Sequence, residues 1–190
     1  MRKAEISRKT RETDIQIKLN IDGIRQCKIC SDIGFLVHML ETFSRHGLFD
    51  IEARIKGDIH IDQHHTLEDT GFVLGEAFKE ALGDKIGIKR AGFFAYPMDD
   101  SLATVAIDIG GRSYLRFEAK LKNKKIGELE TNTLEDFFYG FASGLLANLH
   151  IKVEYGRSDH HKVEAIFKAF AKAVNMACEI GKQGSFPPTK

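Results

Sequence analysis

Apolar residues recur at helical spacing in two stretches of the chain that lie about half its length apart. One stretch opens at His64-His65-Thr66-Leu67-Glu68, and the other opens 96 residues later at His160-His161-Lys162-Val163-Glu164. Apolar positions stay in step when the stretches are superimposed, pairing Leu67 with Val163, Leu74 with Phe170, Phe78 with Val174 and Ala81 with Ala177. Spacings of seven and four predict an amphipathic helix that begins near each histidine pair.

The segments upstream of these helices repeat more loosely. Helical patterns cover residues 35–43 and 134–146, and a strand-like run follows each of them, at 49–61 and 149–155. Alternating or β-branched runs come before the helices: 14–19 turns at Asp22-Gly23 into 24–30, and 102–109 turns at Gly110-Gly111 into 113–119. Each half therefore reads strand, strand, helix, strand, helix.

This order predicts an α+β fold of two repeated halves, residues 1–92 and 93–182, each with helices packed on one face of a mixed or antiparallel sheet. No linker rich in Pro, Gly or Ser separates the halves, which favours tight packing of one half on the other. Residues 183–190, with Gly, Ser and two Pro, are typical of a loop and form a C-terminal tail.

The composition is that of a globular chain with balanced charge. Of 190 residues, 43% are hydrophobic and 29% are charged, which excludes disorder, collagen and a coiled-coil rod. The formal net charge of +1 gives no electrostatic drive toward nucleic acid or an anionic bilayer. Apolar runs fall far short of the roughly 20 residues that span a membrane, and the N-terminus has no signal-peptide pattern. We therefore expect a soluble, cytoplasmic protein that binds neither nucleic acid nor membrane.

The three cysteines are an odd number in a chain long enough to fold without disulfides. Cys27 and Cys30 lie in a strand-like run, where side chains three residues apart point to opposite faces. No second C-x-x-C motif completes a zinc site. The pattern favours small residues in a sheet over a disulfide or a zinc centre.

Each histidine pair has a glutamate on the following helical turn. Residues four apart share one face at a helix start, so the first histidine of each pair can bind an ion together with its glutamate: His64 with Glu68, and His160 with Glu164. The second histidine, His65 or His161, then points elsewhere. Adjacent ligands that point apart suit two ions better than one.

Two further histidines lie at comparable places in the repeats, His38 in a predicted helix and His150 at the start of a predicted strand. They bring the set to six histidines and two glutamates, enough for two sites of four protein ligands. Such sites leave positions open on a six-coordinate ion for substrate or water. Imidazole and carboxylate donors are compatible with manganese, iron, cobalt, nickel or zinc. His60 stays outside this set.

Several basic residues lie outside the amphipathic pattern. Arg90 follows Gly87-Ile88-Lys89, Arg112 follows Gly110-Gly111 at a predicted hairpin tip, and Lys190 ends the tail. Arginine beside flexible glycine turns can clamp a phosphate, because the guanidinium fork matches phosphate oxygens, although each residue alone is also typical of a solvated surface charge. No P-loop, G-x-G-x-x-G or G-x-S-x-G motif is present, so nucleotide-binding and serine-hydrolase functions have no support.

Five segments carry a family resemblance. They are Gly34-Phe35-Leu36-Val37-His38-Met39-Leu40, Arg45-His46-Gly47, His64-His65-Thr66-Leu67-Glu68-Asp69, Pro97-Met98-Asp99-Asp100, and Gly156-Arg157-Ser158-Asp159-His160-His161-Lys162-Val163-Glu164-Ala165 with Phe167-Lys168-Ala169. In their order and spacing, from about residue 8 to residue 190, they resemble the imidazoleglycerol-phosphate dehydratase family of histidine biosynthesis.

The resemblance implies a duplicated α+β half of the type seen in the second domain of ribosomal protein S5. It also implies two manganese ions (Mn²⁺) per active site, a small phosphorylated substrate, and trimers that assemble into a shell of 24 subunits with active sites between subunits. By position, the implied metal ligands are His38, His64, His65, Glu68, His150, His160, His161 and Glu164. The implied substrate contacts are Glu12, His46, Arg90, Arg112, Thr189 and Lys190, with His38 also at the substrate.

Three positions depart from the family pattern. Val37 stands where Asp is usual, Ser158 where Asn is usual, and Pro188 where a phosphate-binding Ser is usual. A missing carboxylate at position 37 removes a hydrogen bond that could orient a metal ligand, and Pro188 removes one phosphate contact. We expect these changes to tune affinity.

The implied reaction dehydrates imidazole glycerol phosphate to imidazole acetol phosphate. It removes a proton from a carbon with no neighbouring carbonyl, which a carboxylate base of ordinary pKa cannot do unaided. Two ions on the two ring nitrogens would stabilise an imidazolate that expels the hydroxyl and leaves a diazafulvene. Glu12 is the expected base, with Glu164 the competing candidate, while Arg90, Arg112 and Lys190 hold the phosphate.

Two other classes of protein share these residues. One is a metal-dependent hydrolase of a small phosphorylated substrate, in which the ions activate a water. The other is a non-catalytic metal-binding or shell-forming protein. Release of phosphate, as opposed to formation of a ketone with the phosphate ester intact, distinguishes the hydrolase from the dehydratase.

Overall fold

The computed structural model describes residues 1–181 of the 190-residue chain, and in this range the two halves share one succession of elements, to which the second half adds a short hairpin. The first half comprises β1 (Lys3–Lys9), β2 (Thr13–Asn20), β3 (Cys27–Cys30), α1 (Gly34–Gly47), β4 (Asp50–Gly57) and α2 (His64–Leu82). The second half comprises β5 (Ala91–Met98), β6 (Ser101–Asp108), β7 (Tyr114–Glu118), the short hairpin β8 (Lys125–Ile126) and β9 (Leu129–Glu130), α3 (Thr133–Leu145), β10 (Asn148–Tyr155) and α4 (Asp159–Cys178).

Each half builds one four-stranded mixed sheet with the same strand order, β1-β2-β4-β3 and β5-β6-β10-β7. The last strand in each order is parallel to its neighbour, and all the other neighbours are antiparallel. The predicted duplicated α+β fold is therefore confirmed. The predicted tail, residues 183–190, lies outside the described residues.

The sequence pattern was wrong about the strand connections. It predicted hairpins from 14–19 into 24–30 and from 102–109 into 113–119, but β4 lies between β2 and β3, and β10 lies between β6 and β7. The Asp50 carboxylate explains the first case, because it accepts the backbone N–H groups of Ile24 (2.7 Å) and Gln26 (2.8 Å) and so holds the connection away from a hairpin. Only the assembled sheet places Asp50 there.

The edge strands β1 and β5 were missed. The exposed residues of β1 are mostly charged, whereas those of β5 are Ala91, Phe93, Ala95 and Pro97, and neither strand has the continuously buried face of β6. Charged and irregular edges are common in natural sheets because they prevent further strand pairing. The signal that identifies a central strand is therefore weak at these positions.

The helices of the two halves pack on each other, α2 against α3 and α1 against α4. In addition, α1 and α2 contact the sheet of the first half, and α3 and α4 contact the sheet of the second half. One fully buried phenylalanine from each helix meets at the centre. Phe170 of α4 lies 4.8 Å, ring centre to ring centre, from both Phe43 of α1 and Phe141 of α3, and Phe78 of α2 closes the group at 5.8 Å from Phe141. None of the helices in residues 1–181 is long and apolar enough to cross a membrane.

Glycines allow the backbones of α2 and α3 to touch. A Cβ atom on Gly71 would lie 1.9 Å from the carbonyl oxygen of Phe137, and one on Gly140 would lie 2.1 Å from the carbonyl oxygen of Glu68. Gly144 has the same relation to the carbonyl oxygen of Phe72, at 2.2 Å. The pairs 68 with 140 and 72 with 144 show that the two helices run parallel in a fixed register.

We expect Gly140→Ala to destabilise the fold by about 1–3 kcal/mol, because the added methyl group has no room and forces the helices apart. Helix propensity alone would act in the opposite direction, stabilising the alanine variant by roughly 0.5–1 kcal/mol. Urea unfolding at a fixed protein concentration measures the difference. Ser143→Ala, at a half-buried position of the same helix, is the control. A stabilised Gly140→Ala variant would contradict the packing.

Candidate functional site

Three ligand-type side chains converge where α1 packs on α4. The Nε2 atoms of His38 and His160 each lie 3.1 Å from Oε1 of Glu164. The ligand atoms of the three side chains all lie within 4.8 Å of one another. Within residues 1–181, no other set of three or more His, Cys, Asp or Glu side chains converges in this way. The ring of Phe35, 5.1 Å from the ring of His160, packs beside the group. Two imidazoles and a carboxylate form a donor set that fits a divalent transition metal.

Glu164 is ionised in this setting. Burial works to raise its pKa, but hydrogen bonds from Lys168 and His38 oppose burial and lower the pKa to about 2. Lys168 lies one turn further along α4, and its Nζ donates to Oε2 of Glu164 at 2.6 Å. The carboxylate is therefore charged at neutral pH, with one oxygen held by a lysine and the other facing the two histidines.

A second histidine and glutamate pair lies at the start of α2. His64 Nε2 is 3.2 Å from Oε2 of Glu68, and His64 Nδ1 is 2.9 Å from Oδ2 of Asp136 on α3. The hydrogen bond to Asp136 raises the pKa of His64. In each half, the histidine and the glutamate four residues after it therefore lie close together, as their spacing predicts. Their role as metal ligands stays a prediction.

The second histidine of each pair points away from its glutamate. His65 Nδ1 is 3.2 Å from Oδ2 of Asp58, in the loop after β4. His161 Nδ1 is 2.5 Å from Oδ1 of Asp100, in the turn between β5 and β6. Nε2 of His161 lies 3.6 Å from Oδ2 of Asp99, and within residues 1–181 neither His65 nor His161 joins the group formed by His38, His160 and Glu164.

His150 lies on the strand β10 and not at the start of either helix. It is exposed on β10, between the buried residues Leu149 and Ile151, and its ring is 5.6 Å from that of Tyr114. It therefore faces the side of the sheet opposite the helices. As predicted, His38 lies on a helix, α1, and His150 lies near the start of a strand, β10, so the two histidines occupy different elements of the repeats.

Glu12 lies in the turn between β1 and β2, where its backbone N–H donates to Oγ1 of Thr10. It lines an open cleft of about 340 Å³ together with Asp58 and His60. Asp58 is the partner of His65, so Glu12 shares a cleft with the orienting group of one candidate ligand. It does not lie beside the group formed by His38, His160 and Glu164.

Arg90 is held at one end of the second sheet. Its guanidinium makes two bonds to the Asp108 carboxylate, at 2.6 and 2.9 Å, and its carbonyl oxygen accepts from the backbone N–H of Ile109. Arg112 lies in the connection between β6 and β7 and is exposed. Its predicted position at a hairpin tip was wrong, because β10 separates β6 from β7.

His46 adds a further basic group near Glu164. Burial and the neighbouring positive charges of Lys168 and Lys172 lower the pKa of His46, and its ring packs 5.4 Å from that of Tyr96. The predicted contacts Thr189 and Lys190, and the unusual Pro188, lie outside the described residues. Ser158, which replaces the usual Asn, caps α4 by accepting from the backbone N–H of His161, a role that serine fills well.

Sequence reasoning missed four polar residues of the site. Lys168 carried a readable signal, since it follows Glu164 by four residues on the same helix face. The aspartates Asp58, Asp100 and Asp136 carried none that links them to their histidines, because the contacts with Asp100 and Asp136 join positions 61 and 72 residues apart.

Comparison with known proteins gives one consistent result. A sequence model of the imidazoleglycerol-phosphate dehydratase family matches residues 31–174. The imidazoleglycerol-phosphate dehydratase of Koribacter versatilis is 52% identical over 183 residues, covering 96% of this chain and 94% of that protein. That of Geobacter metallireducens is 51% identical over 179 residues, covering 94% and 92%. The crystal structure of imidazoleglycerol-phosphate dehydratase from Staphylococcus aureus matches with a TM-score of 0.84 at 34% identity, covering 94% of this chain and 99% of that one.

Proposed function

This chain belongs to the imidazoleglycerol-phosphate dehydratase family, and we propose that it performs the family's reaction with two divalent cations held by its duplicated histidine and glutamate pairs. Membership makes it a lyase that dehydrates imidazole glycerol phosphate in histidine biosynthesis. The observation that carries the proposed site is the convergence of His38, His160 and Glu164. Hydrolysis of a phosphorylated substrate, the rival activity, is not favoured.

We assign one cation to His38, His160 and Glu164, and the other to His64 and Glu68. The remaining ligands are His65, His150 and His161. Within one chain their imidazoles face away from both groups, and His150 is exposed on the outer face of its sheet. They can complete the sites only if a second copy of the chain supplies them.

This requirement supports an oligomer with active sites between subunits. The family resemblance implies trimers that build a shell of 24 subunits, and we propose that assembly. Manganese (Mn²⁺), two ions per active site, is the proposed cofactor, since nitrogen and oxygen donors without thiolate suit it. The ions would act as Lewis acids that stabilise the imidazolate form of the substrate ring, from which loss of the hydroxyl leaves a diazafulvene.

The residues of the chain have separate roles in the proposed mechanism. Glu12 accepts the proton from carbon, as an exposed carboxylate in a cleft and not a member of either cation group. Arg90, Arg112 and the terminal Lys190 bind the phosphate and so fix the ring. Asp108 holds the Arg90 guanidinium through two hydrogen bonds, which limits its motion before the substrate arrives.

We expect metal-free protein to be inactive and to recover activity when about two Mn²⁺ per chain are added. The experiment follows three quantities in parallel: bound manganese, particle size, and formation of imidazole acetol phosphate. Free phosphate is measured in the same samples. Full activity without metal would overturn the cation proposal, and manganese-dependent phosphate release without ketone formation would favour the hydrolase.

A further inference from the structure

Three of the four paired histidines place Nδ1 against an aspartate. The distances are 2.9 Å for His64 with Asp136, 3.2 Å for His65 with Asp58, and 2.5 Å for His161 with Asp100. An ionised carboxylate has no hydrogen to donate, so Nδ1 of each imidazole carries the proton. In a neutral ring the lone pair then lies on Nε2.

We propose that Asp136, Asp58 and Asp100 are positioning residues that fix the tautomer and the ring orientation of these histidines. Each then presents Nε2 to a cation. This inference rests on the proposed function, because it assumes that the histidines are metal ligands. Carboxylates that accept from the second ring nitrogen are the usual partners of metal-bound histidine, and they raise the basicity of the ligating nitrogen.

Asp136 gives the strongest case, because it lies in the second half of the molecule whereas His64 lies in the first. The parallel register of α2 and α3 places residue 68 against Gly140 and residue 72 against Gly144. One turn toward the N-terminus, the same offset of 72 residues places His64 against Asp136. The glycine contacts between the halves therefore determine which carboxylate orients His64.

The Asp100 carboxylate is held in place by hydrogen bonds from the backbone as well as from its histidine. Besides His161, its carboxylate accepts the backbone N–H groups of Arg157 (2.5 Å) and Ser158 (2.9 Å), just before α4 begins. Asp58 follows β4 directly. Since adjacent histidines on a helix point apart, their three orienting carboxylates come from three different places: a helix, a loop and a hairpin turn.

The test compares Asp136→Ala with Glu135→Ala. Glu135 is the exposed neighbour in the same first turn of α3, so its loss removes the same charge without touching His64. Manganese binding to the metal-free protein is measured by titration calorimetry, with circular dichroism as a check on folding. We expect Asp136→Ala to weaken one class of sites by about 10–100-fold and to leave the other class intact. Glu135→Ala should match the parent protein.

Two further measurements separate the possible failures. Histidine ring ¹⁵N spectra of the metal-free protein should lose one Nδ1–H tautomer in Asp136→Ala, a change that a structural role alone does not produce. If Asp136→Ala fails to fold, Asp136→Asn is compared with Glu135→Gln, and weaker manganese binding by the former is expected. Equal binding within either matched pair overturns the positioning role alone. A parent protein that binds no manganese overturns the proposed function together with it.

Discussion

Glu12→Gln is expected to lower turnover by about 10²- to 10⁴-fold, the usual contribution of a general base that removes a proton from carbon. The amide has nearly the same shape as the carboxylate but cannot accept that proton. Because Glu12 lies in the turn between β1 and β2, apart from both cation groups, bound manganese and particle size should not change. The measurement is the rate of imidazole acetol phosphate formation at saturating substrate.

Two control variants give this result its meaning. Glu5→Gln removes the same charge from an exposed position of β1 and should leave the rate unchanged. Glu164→Gln should lose both turnover and manganese, since Glu164 belongs to one of the two proposed cation sites. Near-normal turnover in Glu12→Gln would exclude Glu12 as the base and leave Glu164 as the remaining candidate.

Asp159→Ala is expected to cost about 3–5 kcal/mol of the free energy of unfolding, because it leaves the buried Lys162 ammonium without its counter-ion. The two side chains are almost fully buried and lie 2.8 Å apart. Asp159 also accepts the backbone N–H groups of Lys122 and Asn123, both at 2.7 Å, so it fastens the segment after β7 to the start of α4. His160 and His161 follow directly on that helix.

The control for this prediction is an exposed ion pair in the same half. Glu154→Ala breaks the bond with Lys152 at 2.7 Å, and its cost should stay below about 1 kcal/mol because water screens the pair. Both variants are unfolded with urea at one protein concentration. If Asp159→Ala cost no more than Glu154→Ala, the buried pair would have no special role in stability.

The Asp159 pair also predicts a pH dependence. Burial works to raise the pKa of Asp159, but hydrogen bonds from Lys162 and Asn123 outweigh burial and lower it below the ordinary 3.8. A carboxyl group whose pKa is lower in the folded state contributes stability that is present above the ordinary value and lost as the pH falls through the folded one. The difference between parent and Asp159→Ala should therefore shrink as the pH falls below about 4.

Much of the fold follows from local spacing. The apolar periodicity after each histidine pair located α2 and α4, and the offset of 96 residues between the pairs revealed the duplication. The helices and their duplication can both be predicted from the sequence, because a helix places residues three and four apart on one face, whatever surrounds it. For the same reason the spacing predicted that His64 lies beside Glu68 and His160 beside Glu164.

The sequence by itself thus determined the repeated α+β architecture and the pairing of His64 with Glu68 and of His160 with Glu164. Only the tertiary structure decided the strand order, the approach of His38 to Glu164, and which aspartates face His64, His65 and His161. These features depend on contacts between positions far apart in the chain, such as His64 with Asp136. No periodic pattern encodes such contacts, because they arise from the way the two halves pack, here through glycines that let two helix backbones touch.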